Sequence, residues 1–179
     1  GNIFRAFPAA LQQKLLNEGI EKTGIIVAEG YDYEIIKKAY RPQDDLSILV
    51  TLKANGTIEK TVIGSLAESL TVDRHDAADW NRLKEIFASN TLQMVSFTIT
   101  EKGYSITSPD GAFRADVKAD FEAGPENADS YIGKLAALCY WRYTQGAAPL
   151  ALVSMDNCSH NGDKLFAAVD AYAKAWTEN

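Results

Sequence analysis

The stretch that decides the fold is TGIIVAEG, residues 23–30, a short apolar run that ends in an acid and a glycine. A run of this kind is typical of a buried strand in a parallel sheet. Upstream, Leu11, Leu15 and Leu16 recur at helical spacing, and Gly19 ends that run. A helix followed by a buried strand is the unit from which α/β proteins are built.

Downstream, the same alternation continues with one interruption. Residues 47–66 change to a period of two on either side of Asn55-Gly56, a dipeptide that predicts an antiparallel hairpin. Further apolar strands are predicted within residues 92–100 and 149–157, and helices within 32–40, 76–89, 130–146 and 162–176. The polar residues 108–129 are predicted to be a surface excursion. The pattern predicts one α/β domain, residues 1–179, whose parallel sheet is flanked by helices and carries an inserted antiparallel hairpin.

The composition is that of an ordinary soluble globular protein, with 46% hydrophobic and 23% charged residues. The net charge of −6 disfavours nucleic-acid or anionic-membrane partners. The sequence shows neither a run of about 18 apolar residues nor a signal peptide. Cys139 and Cys158 are expected to be reduced thiols of a cytoplasmic protein. With His75 and His160 as the only histidines, a three-histidine zinc site is impossible. No other cluster of ligands stands out, so no metal site is predicted.

Polar residues follow three of the predicted strands, in the stretches 28–30, 100–104 and 155–163. Ligands of parallel α/β sheets bind beyond the carboxyl ends of the strands, so these stretches are candidates for a site at one edge of the sheet. The alternative is that they only cap helices and form turns. Both interpretations fit their positions.

Two carboxylates follow the first of these strands. Glu29 stands 28 residues after Gly1, about where a dinucleotide-binding fold carries the acid that accepts hydrogen bonds from the adenosine ribose. Asp32 competes for the same role. Either acid could instead be a solvated residue at the end of a strand.

The stretch after the last strand holds the densest group of polar residues in the chain. Asn157 could donate its amide to a carbonyl oxygen during hydride transfer, whereas Asp156 or Asn161 could be the N-cap of the last helix. Glu101, at the end of the middle strand, could relay protons. The motifs of serine and cysteine hydrolases, P-loop enzymes and HExxH metalloproteases do not occur in the sequence, which disfavours those classes.

Three motifs in order resemble signatures of the mannitol dehydrogenase family: GNIFRAF at 1–7, VSFTITEKGY at 95–104 and SMDNCSHNGDK at 154–164. This family of long-chain polyol dehydrogenases also includes fructuronate (mannonate) and tagaturonate (altronate) reductases. The R-A-F ending of the first motif slightly favours the uronate-reductase branch. The resemblance covers essentially the whole chain and implies a Rossmann-like fold.

By this resemblance, GNIFRAF is the second half of a glycine-rich turn that binds the cofactor pyrophosphate at a helix N-terminus. Gly1 would be the second glycine of that turn, so the first strand of the sheet is expected to be missing. Phe4 stands where a standard fingerprint has its third glycine. The implied cofactor is NAD, and the residues implied to bind it are Gly1, Asn2, Ile3, Phe4, Arg5, Glu29, Asp32 and Asp156.

The resemblance also implies the chemistry. Asn157 would help to polarise the substrate carbonyl, and Glu101 would belong to the proton path from a catalytic lysine. Family members carry that lysine in a C-terminal helical domain, which is expected to be missing here. The predicted function is an NAD-dependent oxidoreductase that interconverts a sugar alcohol or aldonate, of mannonate, altronate or mannitol type, with its keto form. The predicted partners are that small-molecule substrate and the missing domain, and the chain alone is expected to be inactive.

Two alternatives of other classes stay open. One is a non-catalytic module that binds NAD or docks a partner, and the other is an α/β domain without affinity for nucleotides. The length of the natural gene product distinguishes the enzyme from the module, because the module needs no lysine-bearing domain.

Overall fold

The structure is a computed structural model, which describes residues 2–146 and 148–177. Its strands there are β1 (Ile25–Glu29), β2 (Ser47–Leu52), β3 (Ile58–Ile63), β4 (Leu66–Thr71), β5 (Met94–Phe97) and β6 (Ala151–Ser154). The helices are α1 (Asn2–Phe4), α2 (Ala10–Asn17), α3 (Tyr33–Ile35), α4 (Ala77–Ala88), α5 (Glu101–Tyr104), α6 (Ala115–Ala123), α7 (Tyr131–Thr144) and α8 (Asn161–Thr177). π-Helical turns at Arg5–Ala9 and Ile36–Tyr40 extend the helices around them. The predicted α/β class is confirmed, and the chain divides into two compact units, residues 1–72 and 73–179.

In the first unit, β1 and β4 form a parallel pair, in register from Ile26 opposite Glu68 to Glu29 opposite Thr71. β2 and β3 form the predicted antiparallel hairpin. Its loop turns at Gly56, which has a φ of 82°. Only glycine adopts such a conformation without steric cost, which is why this dipeptide signal located the turn correctly.

β4 is a strand that the sequence pattern does not separate from the hairpin. The pattern makes Leu66 the last apolar position of the hairpin, but Leu66 instead begins β4, which runs parallel to β1. The break lies at Gly64 and Ser65, between β3 and β4. There the Ser65 hydroxyl donates to the Ala9 carbonyl at 2.6 Å, which anchors the end of the hairpin to the first helical stretch.

The core of the first unit is a cluster of Ala9, Ile36, Tyr40, Ile63 and Leu66, all buried. Ile25 and Val27 of β1 pack against this cluster with one face of the strand. The side chains of Ile26 and Ala28 are exposed. Burial therefore alternates along β1, which is not the fully buried strand that its apolar run predicts.

The predicted parallel sheet takes the form of separate pairs in the described residues: β1 with β4, and β5 with β6, besides the hairpin. Both of these pairs are parallel, as the apolar strand–helix alternation predicts. A missing first strand, and the assignment of residues 1–179 to a single domain, stay predictions.

In the second unit, β5 and β6 are in register from Met94 opposite Ala151 to Phe97 opposite Ser154. α4, which Asp76 caps, packs against α7. The indole N–H of Trp141 on α7 donates to the Lys84 carbonyl of α4 at 3.0 Å. These contacts join the helices that precede the two strands.

Arg142 holds in place the segments that precede both strands of the second unit. Its side chain is 4% exposed. The guanidinium donates to the carbonyls of Phe87, Ser89, Leu92, Ala148 and Pro149, at 2.6 to 3.0 Å. The first three carbonyls precede β5 and the last two precede β6, so one buried cation ties together the segments that lead into the pair.

The polar residues 108–129 are not only a surface excursion, because they contain α6. Asp120 on this helix is buried, and its carboxylate accepts hydrogen bonds from the backbone N–H groups of Asp129 and Ser130, at 2.7 and 3.1 Å. The hydroxyl of Tyr172 on α8 donates to it at 3.1 Å. The helix is therefore anchored by a polar network, which hydrophobic periodicity does not register.

Candidate active site

In the first unit, the carboxylate of Glu29 is held by the turn that follows β1. Its Oε1 accepts hydrogen bonds from the backbone N–H groups of Tyr31 and Asp32, at 2.9 and 3.3 Å. Among the described residues, Oε2 has no hydrogen-bond partner. One carboxylate oxygen thus fixes the orientation and the other is available to donors of a ligand, which is the arrangement a binding residue needs.

Asp32, the second acid predicted for the same role, is held less firmly. It is exposed and stands at the N-cap position of α3 without making a side-chain capping bond. Its own orientation is therefore not fixed by the fold. Glu29 is the better placed of the two acids for a directional contact.

The residues predicted to bind the pyrophosphate lie in the first helical stretch. The Arg5 guanidinium donates to Asn2 Oδ1 at 2.7 Å and lies over the Tyr40 ring, 5.2 Å from its centroid. Its buried Nε has no hydrogen-bond partner among the described residues. An unpaired buried N–H beside a helix N-terminus suits a phosphate oxygen.

The other residues predicted at this helix differ in their surroundings. Ile3 is 71% exposed, so it can contribute its backbone rather than a buried side chain. Phe4 packs against the core cluster of the first unit, so its ring supports the fold. Gly1 lies outside the described residues, and its contact with a pyrophosphate stays a prediction.

In the second unit, the parallel register of β5 and β6 brings together the polar stretches that follow them. The Met155 N–H donates to the Phe97 carbonyl at 2.8 Å, one step beyond the paired strands. α5 then contacts α8. The predicted convergence of residues 100–104 with residues 155–163 is therefore found within this unit.

Tyr104 and Asp156 form a partly buried pair at this convergence. Tyr104 is 3% exposed and its hydroxyl donates to Asp156 Oδ2. Burial, and then the hydrogen bond to Asp156, raises the pKa of Tyr104 to about 12, so the phenol stays protonated and remains a donor. Asp156 Oδ1 is buried and has no hydrogen-bond partner in the described part of the chain. A buried acceptor without a hydrogen bond destabilises the fold, and a hydroxyl or amide group of a ligand could donate to it.

Glu101 begins α5 and is paired with a lysine from α8. Its Oε1 lies 2.5 Å from Lys164 Nζ, which also donates to Cys158 Sγ at 3.2 Å. The hydrogen bond from Lys164 is the main cause that lowers the pKa of Glu101. The same bond, followed by the contact with Cys158, raises the pKa of Lys164. Both groups are thereby held in their charged forms.

Asn157 is exposed, and its side chain makes no hydrogen bond to another described residue. α8 begins at Asn161, and the Lys164 N–H donates to the His160 carbonyl at 3.0 Å, which makes His160 the N-cap residue. Asn157 therefore does not cap this helix. Asp156 does not cap it either, because its carbonyl accepts from the Asn161 amide at 3.0 Å and its carboxylate faces Tyr104.

Other chemistries find little support in residues 2–146 and 148–177. No group there of three or more His, Cys, Asp or Glu side chains could hold a metal ion. Cys139 and Cys158 are free thiols, and burial raises the pKa of Cys139 to about 11, which disfavours the reactive thiolate. None of the helices described is both long enough and apolar enough to cross a membrane.

Sequence reasoning missed the partners that hold the candidate residues. Tyr104 and Lys164 both lie inside the quoted motifs, but their partners follow from the register of β5 and β6, which the sequence does not show. Arg142 was missed because an arginine in an amphipathic helix is usually on its solvated face. Its neighbours Leu138 and Leu135, which repeat at helical spacing on the buried side, were the available signal.

Comparison with known proteins finds similarity to sugar-alcohol and sugar-acid oxidoreductases. No protein-family model matches it. The chain is 48% identical, over all 179 residues, to a D-mannonate oxidoreductase of Thermotoga maritima, and it spans 33% of that protein. It is 31% identical to a polyol:NADP oxidoreductase of Gluconobacter oxydans, with 98% of the chain and 36% of that protein covered.

The chain is also similar to a solved structure of such an oxidoreductase. The chain superposes with a TM-score of 0.80 on a mannitol 2-dehydrogenase of Pseudomonas fluorescens, in a ternary complex with NAD and D-mannitol. The identity is 30%, and the match covers 99% of the chain and 36% of that protein. The chain thus spans about a third of the length of the relatives it matches.

Proposed function

Because the chain belongs to the mannitol dehydrogenase family and matches its N-terminal Rossmann-like domain, we propose that it is the NAD-binding part of a dehydrogenase. The proposed reaction interconverts a sugar alcohol or an aldonate with its keto form. The observation that carries this proposal is the 48% identity, over the whole chain, to a D-mannonate oxidoreductase. Among the possible substrates it favours an aldonate of mannonate type over a neutral hexitol.

The proposal concerns a protein of the length of these relatives, of which this chain would form one domain. By the family resemblance, the catalytic lysine would come from a C-terminal helical domain. A protein of this kind would work in the cytoplasm, where its NAD pool and its reduced thiols are found. The chain by itself would not turn over substrate.

NAD is the proposed cofactor, and the described residues fit it. Arg5 has an unpaired N–H at a helix start, where a pyrophosphate oxygen would be accepted. Glu29 has an oriented carboxylate at the end of β1, where the ribose hydroxyls of the adenosine would donate to it. A 2′-phosphate at the same place would be repelled by that carboxylate. Since one relative is named for NADP, the choice between the two cofactors needs its own test.

In the second unit, Asn157 and Glu101 are proposed to act on the substrate. When bound, the nicotinamide accepts the hydride that leaves the carbinol carbon. The exposed amide of Asn157 would donate to the oxygen of that carbon, where charge develops. Glu101, held as a carboxylate, would pass the hydroxyl proton towards solvent. The unpaired Asp156 Oδ1 would accept a hydrogen bond from the cofactor.

The alternative is a module that binds NAD without catalysis. A dehydrogenase assay of the complete gene product, with hexitols, mannonate and altronate and with both cofactors, tests the proposal. We expect oxidation of at least one aldonate or hexitol with NAD. If NAD binds tightly and none of these compounds is turned over in either direction, the module is the better description.

A further inference from the structure

Lys164 brings together two groups that lie far apart in the sequence. From the first turn of α8, its Nζ reaches Glu101 Oε1 at 2.5 Å and Cys158 Sγ at 3.2 Å. Glu101 lies on α5, 63 residues earlier. This long-range ion pair depends on the parallel register of β5 and β6, which brings α5 and α8 together.

This ion pair contributes little to the stability of the fold. The side chains of Lys164 and Glu101 are 37% and 72% exposed. Water screens ion pairs that are this exposed, so they add little to stability. α5 is also anchored independently by the buried hydroxyl of Tyr104, which donates to Asp156. A role in holding α5 in place does not explain the lysine.

The electrostatic effect on Glu101 is more specific. Lys164 is the first and largest cause of the lowered pKa of the Glu101 carboxyl, through its hydrogen bond and its charge. The Cys158 thiol makes a smaller contribution in the same direction. His160 and Asp163, which lie 3.3 Å apart in the same region, contact each other. The groups that act on the Glu101 carboxyl are Lys164 of α8 and Cys158 of the preceding loop. Lys102 and Tyr104 are the other titratable residues of α5 itself.

We propose that Lys164 is a positioning residue that fixes Glu101, ionised and in one orientation, as a member of the proton path. The inference rests on the proposed function, in which Glu101 takes up a proton while substrate is oxidised. A protonated Glu101 cannot accept that proton, so turnover falls when the pH drops through its pKa. Removing the ammonium raises that pKa, and the acidic limb of the pH–rate profile moves to higher pH.

The test is the pH dependence of kcat, measured on the complete gene product with D-mannonate and NAD. Lys164→Met is expected to shift the acidic limb to higher pH and to lower turnover on the plateau, because Glu101 loses the bond that orients it. Lys164→Arg keeps the charge and is expected to keep the limb in place. Glu101→Gln is expected to lower turnover by roughly a hundredfold, the lower range for loss of an acid–base group.

The matched control is Lys174→Met, which removes another lysine of α8. Lys174 pairs with Asp170 at 2.6 Å on the same helix, away from Glu101, and its loss is expected to leave the limb unmoved. An unshifted limb in Lys164→Met, with Glu101→Gln impaired, overturns the proposal but not the function. So does an equal shift in Lys174→Met, because the effect would then be one of general charge.

A second readout does not depend on turnover. Titration of the Glu101 carboxyl carbon by NMR, in the wild type and in Lys164→Met, reports the ionisation directly. A midpoint that moves upward only in Lys164→Met supports the proposal, and an unmoved midpoint rejects it. If no substrate of the panel is oxidised, the proposed function fails, and the place of Lys164 in a proton path fails with it.

Discussion

At the scale of single residues, the carboxylate of Glu29 is the group that we propose sets the choice of cofactor. Its Oε1 is occupied by two backbone N–H groups, so the carboxylate cannot turn away from a ligand at the end of β1. Asp32 lacks such support. The sequence offered both acids at similar positions. What it could not provide is the hydrogen bonding of the turn, which depends on backbone conformation.

Replacing Glu29 is therefore expected to relax the preference for NAD over NADP. A fixed carboxylate beside a 2′-phosphate costs on the order of 1–3 kcal/mol, or roughly tenfold to a hundredfold in preference. The ratio of kcat/KM for the two cofactors, in the wild type and in Glu29→Ala, measures this effect. Asp32→Ala is the matched control and should change the ratio little. If Asp32→Ala relaxes the preference instead, the roles of the two acids are reversed.

Asn157 is the second residue whose role a single substitution can reveal. Since it neither caps α8 nor bonds to another described side chain, Asn157→Ala is expected to leave folding and NAD binding unchanged. Turnover should fall by roughly a hundredfold or more, the usual loss of one donor to a developing oxyanion. Steady-state kinetics and thermal unfolding of the same variant give the two numbers.

The control for that experiment is Asn161→Ala. The Asn161 amide donates to the Asp156 carbonyl at 3.0 Å, so its loss is expected to destabilise the fold by about 0.5–1.5 kcal/mol. Turnover should then suffer less than in Asn157→Ala. Near-normal turnover in Asn157→Ala would remove Asn157 from the reaction.

At the scale of the elements, the sequence predicted best what a periodic pattern can encode. β1, the hairpin, α4, α7 and α8 all follow from apolar spacing and turn residues. β4 was not predicted as a separate strand because only Gly64 and Ser65 lie between it and β3. The hydrophobic pattern does not show that β4 pairs with β1 and not with β3. α6 was not predicted because a buried carboxylate, Asp120, anchors it, and apolar spacing does not reveal such an anchor.

The buried guanidinium of Arg142 ties together the segments that lead into β5 and β6. Arg142→Met is expected to destabilise the protein by roughly 3–5 kcal/mol, because it leaves several buried carbonyls without a donor. Urea unfolding of the complete gene product measures this loss. Arg82→Met is the control: Arg82 lies on the exposed side of α4, where it pairs with Glu85, and its loss should cost about 0–1 kcal/mol. Equal losses of stability in the two variants would show that the hydrogen bonds from Arg142 to these carbonyls do not stabilise the strands.

At the scale of the whole molecule, the family could be identified from three short motifs, and the relatives confirm it. Two of the motifs, at 95–104 and 154–164, combine turn and acid residues at a strand end, where α/β folds bind ligands. The partners that orient those residues could not be read in the same way. Tyr104 and Asp156 are 52 residues apart, and Glu101 and Lys164 are 63 apart. Only the strand register makes such pairs neighbours.

The most direct test of the proposed hydride transfer follows the hydrogen itself. The complete gene product is incubated with NAD and with D-mannonate that carries deuterium on its carbinol carbons, and the reduced cofactor is analysed by mass spectrometry. We expect one deuterium in the reduced cofactor for each molecule of keto product formed. Bound NAD that stays oxidised, with D-mannonate, D-altronate and D-mannitol labelled in the same way, would contradict the dehydrogenase and favour a module that only binds the nucleotide.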